Sequence, residues 1–316
     1  VGGVSDHGTA IEWTQAPGFK GETWNPVTGC DRVSPGCAHC YALDLAARLK
    51  GMGQKRYQRD GDPKTSGPGF GLTLHPDKLE DPLRWRKPRM VFVNSMSDLF
   101  HEEIPDDYIG QVFSTMARAK RHVFQVLTKR PERMRQLLTW AQDEMNFGPL
   151  PNVWLGVSIE NRRFVHRADI LRQTPAAVRF ISAEPLLGPL VGEVAHGAPG
   201  EPDAGSRGGT GRAAATAAGP TPASAQARAH APLDLTGIDW LIVGGESGPK
   251  HRPIQPEWVR DLRDACWSVD NGRGDAIAFF FKQWGGRTPK VGGRELDGRT
   301  WDEWPSALAN LAAEAA

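Results

Sequence analysis

Net charge is almost absent from this chain: across 316 residues, 38 Lys and Arg stand against 37 Asp and Glu. That balance excludes the global basic excess of a protein that coats nucleic acid. Only local basic patches remain, "RWRKPR" (84–89) and "TKRPERMR" (128–135), and both read first as solvated helix or loop faces. Long apolar runs are missing as well. None approaches the roughly 18 uninterrupted residues of a membrane span, and "VGGVSDHGTAIEWTQ" at the start has neither the basic flank nor the apolar core of a signal peptide. The expectation is a soluble, cytoplasmic protein with no membrane partner. Cysteine is scarce, at four residues. Three of them fall between 30 and 40, which excludes a disulfide framework and points to metal or redox chemistry.

What is present is a core. Apolar residues make up 39% of the chain, enough to fill one large domain, expected to span 1–316. Short β-branched or aromatic runs recur: "RMVFVNSMSD" (89–98), "HVFQVLTKR" (122–130), "NVWLGVSIE" (152–160), "VRFISAEPLL" (178–187), "DWLIVGGESG" (239–248) and "AIAFFFKQWGG" (276–286). Each is nearly continuously apolar, as strands buried on both faces are. Amphipathic segments lie between them at 106–119, 130–145 and 256–269, the last presenting Val259, Leu262 and Cys266 on one face. Strand then helix, repeated, predicts parallel βα units: an α/β fold forming a complete or partial (β/α) barrel, with a first strand near "IEWTQ" (11–15). Residues 191–232 are Ala, Gly, Pro and small polar residues, and are expected to form a low-complexity, disordered insertion within the domain. Residues 51–79, rich in Gly and Pro, predict a long loop.

Polar residues collect where the predicted strands end. They are Asn94, Ser95, Ser97 and Asp98, then Thr128 and Lys129, Ser158 and Glu160, Ser182 and Glu184, and Glu246 and Ser247. In a parallel α/β architecture those ends converge on one mouth, where ligands bind. Pro185 disfavours helical geometry at Glu184 and keeps it extended; a nearby arginine is the bland partner for that carboxylate. "VGGESG" (243–248) lacks the spacing of a dinucleotide or phosphate loop, which removes NAD and ATP as expectations.

The stretch "TWNPVTGCDRVSPGCAHCYALDL" (23–45) carries Cys30, Cys37 and Cys40 in the pattern C-x6-C-x2-C. Gly29, Pro35 and Gly36 force turns that let three sulfurs converge ahead of a helix beginning near Ala42. Three chemistries compete. Structural zinc needs a fourth ligand, which His39, His101 or Cys266 would have to supply. A redox pair of Cys37 and Cys40 would leave Cys30 unused. An iron–sulfur cluster held by three thiolates would leave one iron free of protein, open to a substrate or cofactor.

The cysteine loop resembles the cluster loop of radical S-adenosylmethionine enzymes, with three more residues between the first two cysteines than that superfamily's usual C-x3-C-x2-C. "TWNPVTGC…SPGCAHCYA", "NSMSDLFHEEIP", "LTKRPERM", "WLGVSIEN", "ISAEPLLGPL", "LIVGGESG" and "FFKQWGG…GRELDGRTWDEWP" together resemble the phage-associated three-cysteine-motif family over about residues 11–306, the insertion apart. The strand ends "NSMSD", "LTKR" and "GVSIE" are also similar to those of spore photoproduct lyase. These resemblances imply a radical S-adenosylmethionine type of barrel, a [4Fe-4S] cluster on Cys30, Cys37 and Cys40, and S-adenosylmethionine held at Ser95 or Ser97, Lys129 and Ser158. Asp98, Glu160, Glu184 and Glu246 complete the expected cofactor-binding set, since carboxylates can bond ribose or amine groups.

The expected function is reductive cleavage of S-adenosylmethionine to a 5′-deoxyadenosyl radical. An electron donor such as ferredoxin or flavodoxin would serve it, and a nucleic acid or nucleotide is the substrate class favoured. Two alternatives stay open: a non-catalytic module stapled by zinc or a cluster that binds nucleic acid or a partner protein, and a hydrolase using Asp98, Glu184 and Glu246.

Overall fold

The computed structural model describes residues 8–192, 231–288 and 290–315. Nearly all of the insertion expected over 191–232 lies outside the described residues. The chain builds nine strands among the described residues: β1 (Lys20–Trp24), β2 (Val27–Thr28), β3 (Thr73–Leu74), β4 (Arg89–Val93), β5 (Val123–Thr128), β6 (Val153–Ser158), β7 (Val178–Ala183), β8 (Trp240–Gly244) and β9 (Ala278–Gln283). The helices are α1 (Tyr41–Gly51), α2 (Asp81–Arg84), α3 (Asp106–Arg118), α4 (Pro131–Met145), α5 (His166–Arg172), α6 (Pro256–Ser268) and α7 (Ala307–Ala315). Seven strands form one parallel sheet in the order β1-β4-β5-β6-β7-β8-β9, curled into a half-barrel with helices around it. Its two edge strands, β1 and β9, do not pair, so the barrel is partial.

Six of the seven sheet strands fall inside the six apolar runs, and α3, α4 and α6 fall inside the amphipathic segments. Their two-residue alternation sorts side chains onto two faces. Val91, Val93, Phe124, Val126, Leu155, Val157, Ile181 and Leu241 pack outward beneath the helices, joined by Val259, Leu262 and Cys266 of α6. Met90, Val123, Trp154, Phe180, Trp240, Ile242 and Phe280 point into the concave interior. There Gly156 leaves room for its neighbour, because a Cβ at that position would sit 2.4 Å from the Phe180 ring.

The first strand is not at "IEWTQ". Glu12–Thr14 is a 3₁₀ turn, closed by Thr14 N–H on the Ile11 carbonyl at 3.1 Å and by the Thr14 hydroxyl on the same oxygen at 2.7 Å. Local side-chain bonding of this kind offers the backbone an alternative to a sheet ladder. The turn packs against β1, β4 and β9 and so crosses the open side of the half-barrel. It delivers Trp13, 2% exposed, into the interior 4.6 Å from the Phe92 ring. The strand that opens the sheet comes later, at β1, whose five residues run in register with β4. The predicted loop over 51–79 contains β3, which pairs antiparallel with β2 and so ties that loop to the base of the cysteine stretch. Among the described residues no helix is long and apolar enough to cross a membrane.

Candidate functional site

The alternation that sorts the core also builds the site. Following the concave face two residues at a time, Phe92 leads to Asn94, Leu127 to Lys129, Phe180 through Ser182 to Glu184, Ile242 through Gly244 to Glu246, and Phe280 to Lys282. Aromatic and aliphatic side chains near the middle of the barrel thus give way to charge at its mouth. A cavity of about 670 Å³ opens there, lined by Trp13, Asn25, Asn94, the strand-end residues and the cysteine loop. Its volume falls within the roughly 300–1,000 Å³ usual for small-molecule sites.

Of the eleven candidate residues, ten line this cavity: Cys30, Cys37, Cys40, Ser95, Ser97, Asp98, Lys129, Ser158, Glu184 and Glu246. Glu160 does not. It is fully buried beneath the loop, where its carboxylate accepts from the Ser34 hydroxyl at 2.6 Å and pairs with Lys129 at 3.4 Å and Arg167 at 3.2 Å. The loop backbone rests on it so closely that a Cβ on Gly36 would fall 2.5 Å from the Glu160 side chain. Ser97 donates its hydroxyl to the Val27 carbonyl at 2.9 Å, and Ser95 is engaged with the Asn25 amide. Asp98 spends both oxygens on structure: one takes the Thr128 hydroxyl and Phe100 N–H, the other Lys129 N–H and the Arg130 guanidinium. Lys129, Ser158, Glu184 and Glu246 line the cavity from four different strand ends, Lys129 paired with Glu160, Glu184 with Lys282, and Glu246 giving both oxygens to Arg252 and one also to His39.

The loop is fixed by polar contacts of its own. Gly29 N–H donates to the Met96 carbonyl at 2.9 Å, Arg252 donates to the Pro35 carbonyl at 3.0 Å, and His101 pairs with Asp31 at 2.9 Å. Gly29 adopts a φ of 92°, open to glycine and costly for other residues, as its backbone passes Gly71. Cys30 lies 3.5 Å from Arg130, and Cys37 lies 3.7 Å from the Ser34 hydroxyl. Cys40 caps the start of α1. Burial, reinforced by Asp98, pushes the Cys30 thiol up to about 12 against the pull of Arg130, and burial also raises Cys40. Lys129 is penalised by burial, yet the Glu160 carboxylate and the nearby thiols hold it above its ordinary value. Glu246 is likewise penalised by burial, but its bonds to Arg252 and His39 win and hold it below the usual carboxylate range.

The ligand sets weighed from the sequence separate here. His39 is turned to Glu246 at 3.1 Å, His101 to Asp31, and Cys266 is 1% exposed on the convex face, so none of them joins the three thiols. Among the described residues no three His, Cys, Asp or Glu side chains gather closely enough for one metal ion. Cys30, Cys37 and Cys40 are free, half-buried and all on the cavity, so the donor set on offer is three thiols, one per iron if a polynuclear group were to bind. Both basic patches are partly spent on ion pairs: Arg89 pairs with Glu22 at 2.6 Å, Arg130 with Asp98 at 3.3 Å, and Arg133 with Asp106, while Arg84, Arg86 and Lys87 are exposed.

Sequence reasoning missed Lys282, 3.0 Å from Glu184, which stands where an arginine was expected. It also missed Trp13, hidden in a segment read as strand. Asn94 was visible only as one of several polar residues at a predicted strand end. The structure shows it with φ at 59°, 3% exposed, and with neither side-chain atom partnered. Burying such an unpaired amide costs on the order of 1–3 kcal/mol per group.

Fold and site together define a parallel α/β half-barrel protein with a three-cysteine loop folded over its mouth. Over residues 8–305 the sequence matches the family described as a protein of unknown function, DUF5131, and the chain belongs to that family. The match brings with it no activity, cofactor or phage association. No curated protein and no solved structure matches the chain.

Proposed function

We propose that this protein is an iron–sulfur enzyme of the radical S-adenosylmethionine type. Cys30, Cys37 and Cys40 each hold one iron of a [4Fe-4S] cluster, and S-adenosylmethionine occupies the cavity beside it. The observation that carries this reading is that three thiols line one wall of a cavity at the carboxyl ends of a parallel half-barrel. When bound, a cluster with one iron free of protein supplies the open coordination position and the electron with which S-adenosylmethionine is split to a 5′-deoxyadenosyl radical.

This chain's own residues bind, orient and exclude water. Lys129 offers an ammonium to a ligand carboxylate, and Glu184 and Glu246 offer acceptors to an amine or ribose. Ser158 lies in register with Ser182 on the neighbouring strand, and both hydroxyls reach the same cavity. Ferredoxin or flavodoxin is the class of electron donor, and a nucleic acid or nucleotide the class of substrate. A metal staple explains the loop less well. Ser34, Arg252 and His101 already hold it without a metal, so a purely structural ion would add little order.

Anaerobic reconstitution with iron and sulfide tests the reading. Wild-type protein should take up about four irons per chain, and Cys30→Ala, Cys37→Ala and Cys40→Ala should each lose most of it while Cys266→Ala keeps it. A colourless protein binding about one zinc per chain would overturn the cluster.

A further inference from the structure

We propose that the cavity rim built by α1 and the loop after it docks a single strand of nucleic acid, with phosphates on the rim and one base in the cavity. Charge is the first observation. The chain as a whole is balanced at +1, yet residues 48–64, "RLKGMGQKRYQRDGDPK", carry six Lys and Arg against two Asp, a local excess of four. One of those acids is spent within the loop, since Asp60 pairs with Lys50 at 2.6 Å and accepts from Gly69 N–H at 2.7 Å. By contrast, Arg48, Lys55, Arg56 and Lys64, together with Arg32 of the cysteine loop, are exposed and make no side-chain hydrogen bond or ion pair among the described residues. Unlike Arg89, Arg130 and Arg133, these cations are uncommitted.

Placement is the second observation. Arg32 lines the cavity, and its backbone N–H donates to the Thr65 carbonyl at 2.8 Å, which sets Lys64 close by. Lys55 and Arg56 share a 3₁₀ turn with Tyr57, itself on the cavity wall. Arg48 stands on the face of α1 that carries Tyr41 and Leu45, which also line the cavity. Accessible rings are the third. Tyr41 is 55% exposed, and its hydroxyl, donating to the Ser95 carbonyl at 2.6 Å, fixes the ring at the mouth. Cations that track a phosphate backbone beside aromatic faces on which bases stack make a single-strand site. An acidic protein would match the charge but make no use of the rings or of a cavity of about 670 Å³ beside them. A strand uses both, because a base must leave its stack to reach reacting groups inside a pocket. The inference rests on the reading under Proposed function only in naming that reaction's substrate; docking itself needs no cluster.

Fluorescence anisotropy of a labelled single-stranded oligodeoxynucleotide on the full chain, with no metal added, tests it across a salt series. The strand should bind saturably, and its affinity should fall with salt by a logarithmic slope of about 0.7 for each phosphate neutralised. Lys55→Glu/Arg56→Glu/Lys64→Glu, confined to exposed side chains, should flatten that slope by about 2. Arg84→Glu/Arg86→Glu/Lys87→Glu, ahead of β4 and so at the other end of the barrel, should leave it unchanged. A strand of equal length with abasic sites, on unaltered protein, should bind about tenfold more weakly, the worth of a stacked base; this arm stands even if a variant fails to fold. Absence of strand binding, equal binding of the abasic strand, or a wild-type slope in the folded rim variant overturns the proposal. So does rim-dependent binding of ferredoxin or flavodoxin without any strand binding, which would assign the surface to the electron donor. An oligoribonucleotide of the same sequence, run in parallel, assigns the sugar by the tighter binding. If the strand binds and iron does not, the cluster falls and the docking surface stands; if iron binds and the strand does not, the surface alone falls.

Discussion

At the closed end of the half-barrel, Trp154 and Trp240 meet nearly edge to face at 5.8 Å, Phe280 and Trp304 pack around Trp240, and Leu308 and Leu311 of α7 complete the apolar cluster. At the mouth, on the same strands and only a few residues further along, Glu160, Glu184 and Glu246 each hold a cation, and Asn94 holds nothing. One sheet therefore carries two kinds of order. The closed end is held by area removed from water, which tolerates no missing volume. The mouth is held by pairs of charges, each depending on one partner. The first kind secures the fold, and the second holds a loop and leaves a few polar groups for a ligand.

Substitutions at the two ends should therefore fail differently. The largest effect belongs to the closed end. Trp240→Ala should cost about 4 kcal/mol of stability in urea titration, as truncating a fully buried aromatic does. Next comes Glu160→Ala, which leaves Lys129 and Arg167 without their shared carboxylate; it should cost about 3 kcal/mol and release the cysteine loop from Ser34. Proteolysis near residues 32–36 should rise in that variant and stay unchanged in Trp240→Ala under folded conditions.

A pH scan sharpens the same contrast. His122, on the closed-end side, is pushed down to about 4 by burial, with Arg121 and Arg89 adding to the effect. Its Nδ1 must accept from Arg89 N–H at 3.2 Å while its Nε2–H donates to the Pro82 carbonyl at 3.0 Å, which only the neutral ring can do. The folded value lies below the unfolded one, so this contribution is complete above about pH 6.5 and is lost as pH falls towards 4, up to about 3 kcal/mol. Stability measured at pH 7 and 4.5 should show that loss, and His122→Asn should flatten it. The smallest change is Cys266→Ala on the convex face, expected to cost about 1 kcal/mol with no change in metal content.

Much of the fold was legible because buried parallel strands write themselves as apolar runs: all six runs contain a sheet strand. The missing strand, β1, reads "KGETW" and gives no such run, since only Gly21 and Trp24 of its five residues are buried. The convergence of strand ends was legible for the same reason the strands were. What was not legible is which polar residues spend themselves on one another. Glu160 and Glu184 look alike in sequence, two residues past β6 and one past β7, yet a glycine-thin loop seals the first and leaves the second facing the cavity. Trp13 was obscured because a 3₁₀ turn of three residues has no periodicity to read.

The most direct test of the cluster claim is paramagnetic resonance of the anaerobically reconstituted, reduced protein with and without S-adenosylmethionine. A reduced-cluster signal that changes on addition is the predicted result, because the iron free of protein is the one that the ligand reaches. A signal indifferent to S-adenosylmethionine at saturating concentration would contradict it, leaving three cysteines around a cluster that the cavity does not use.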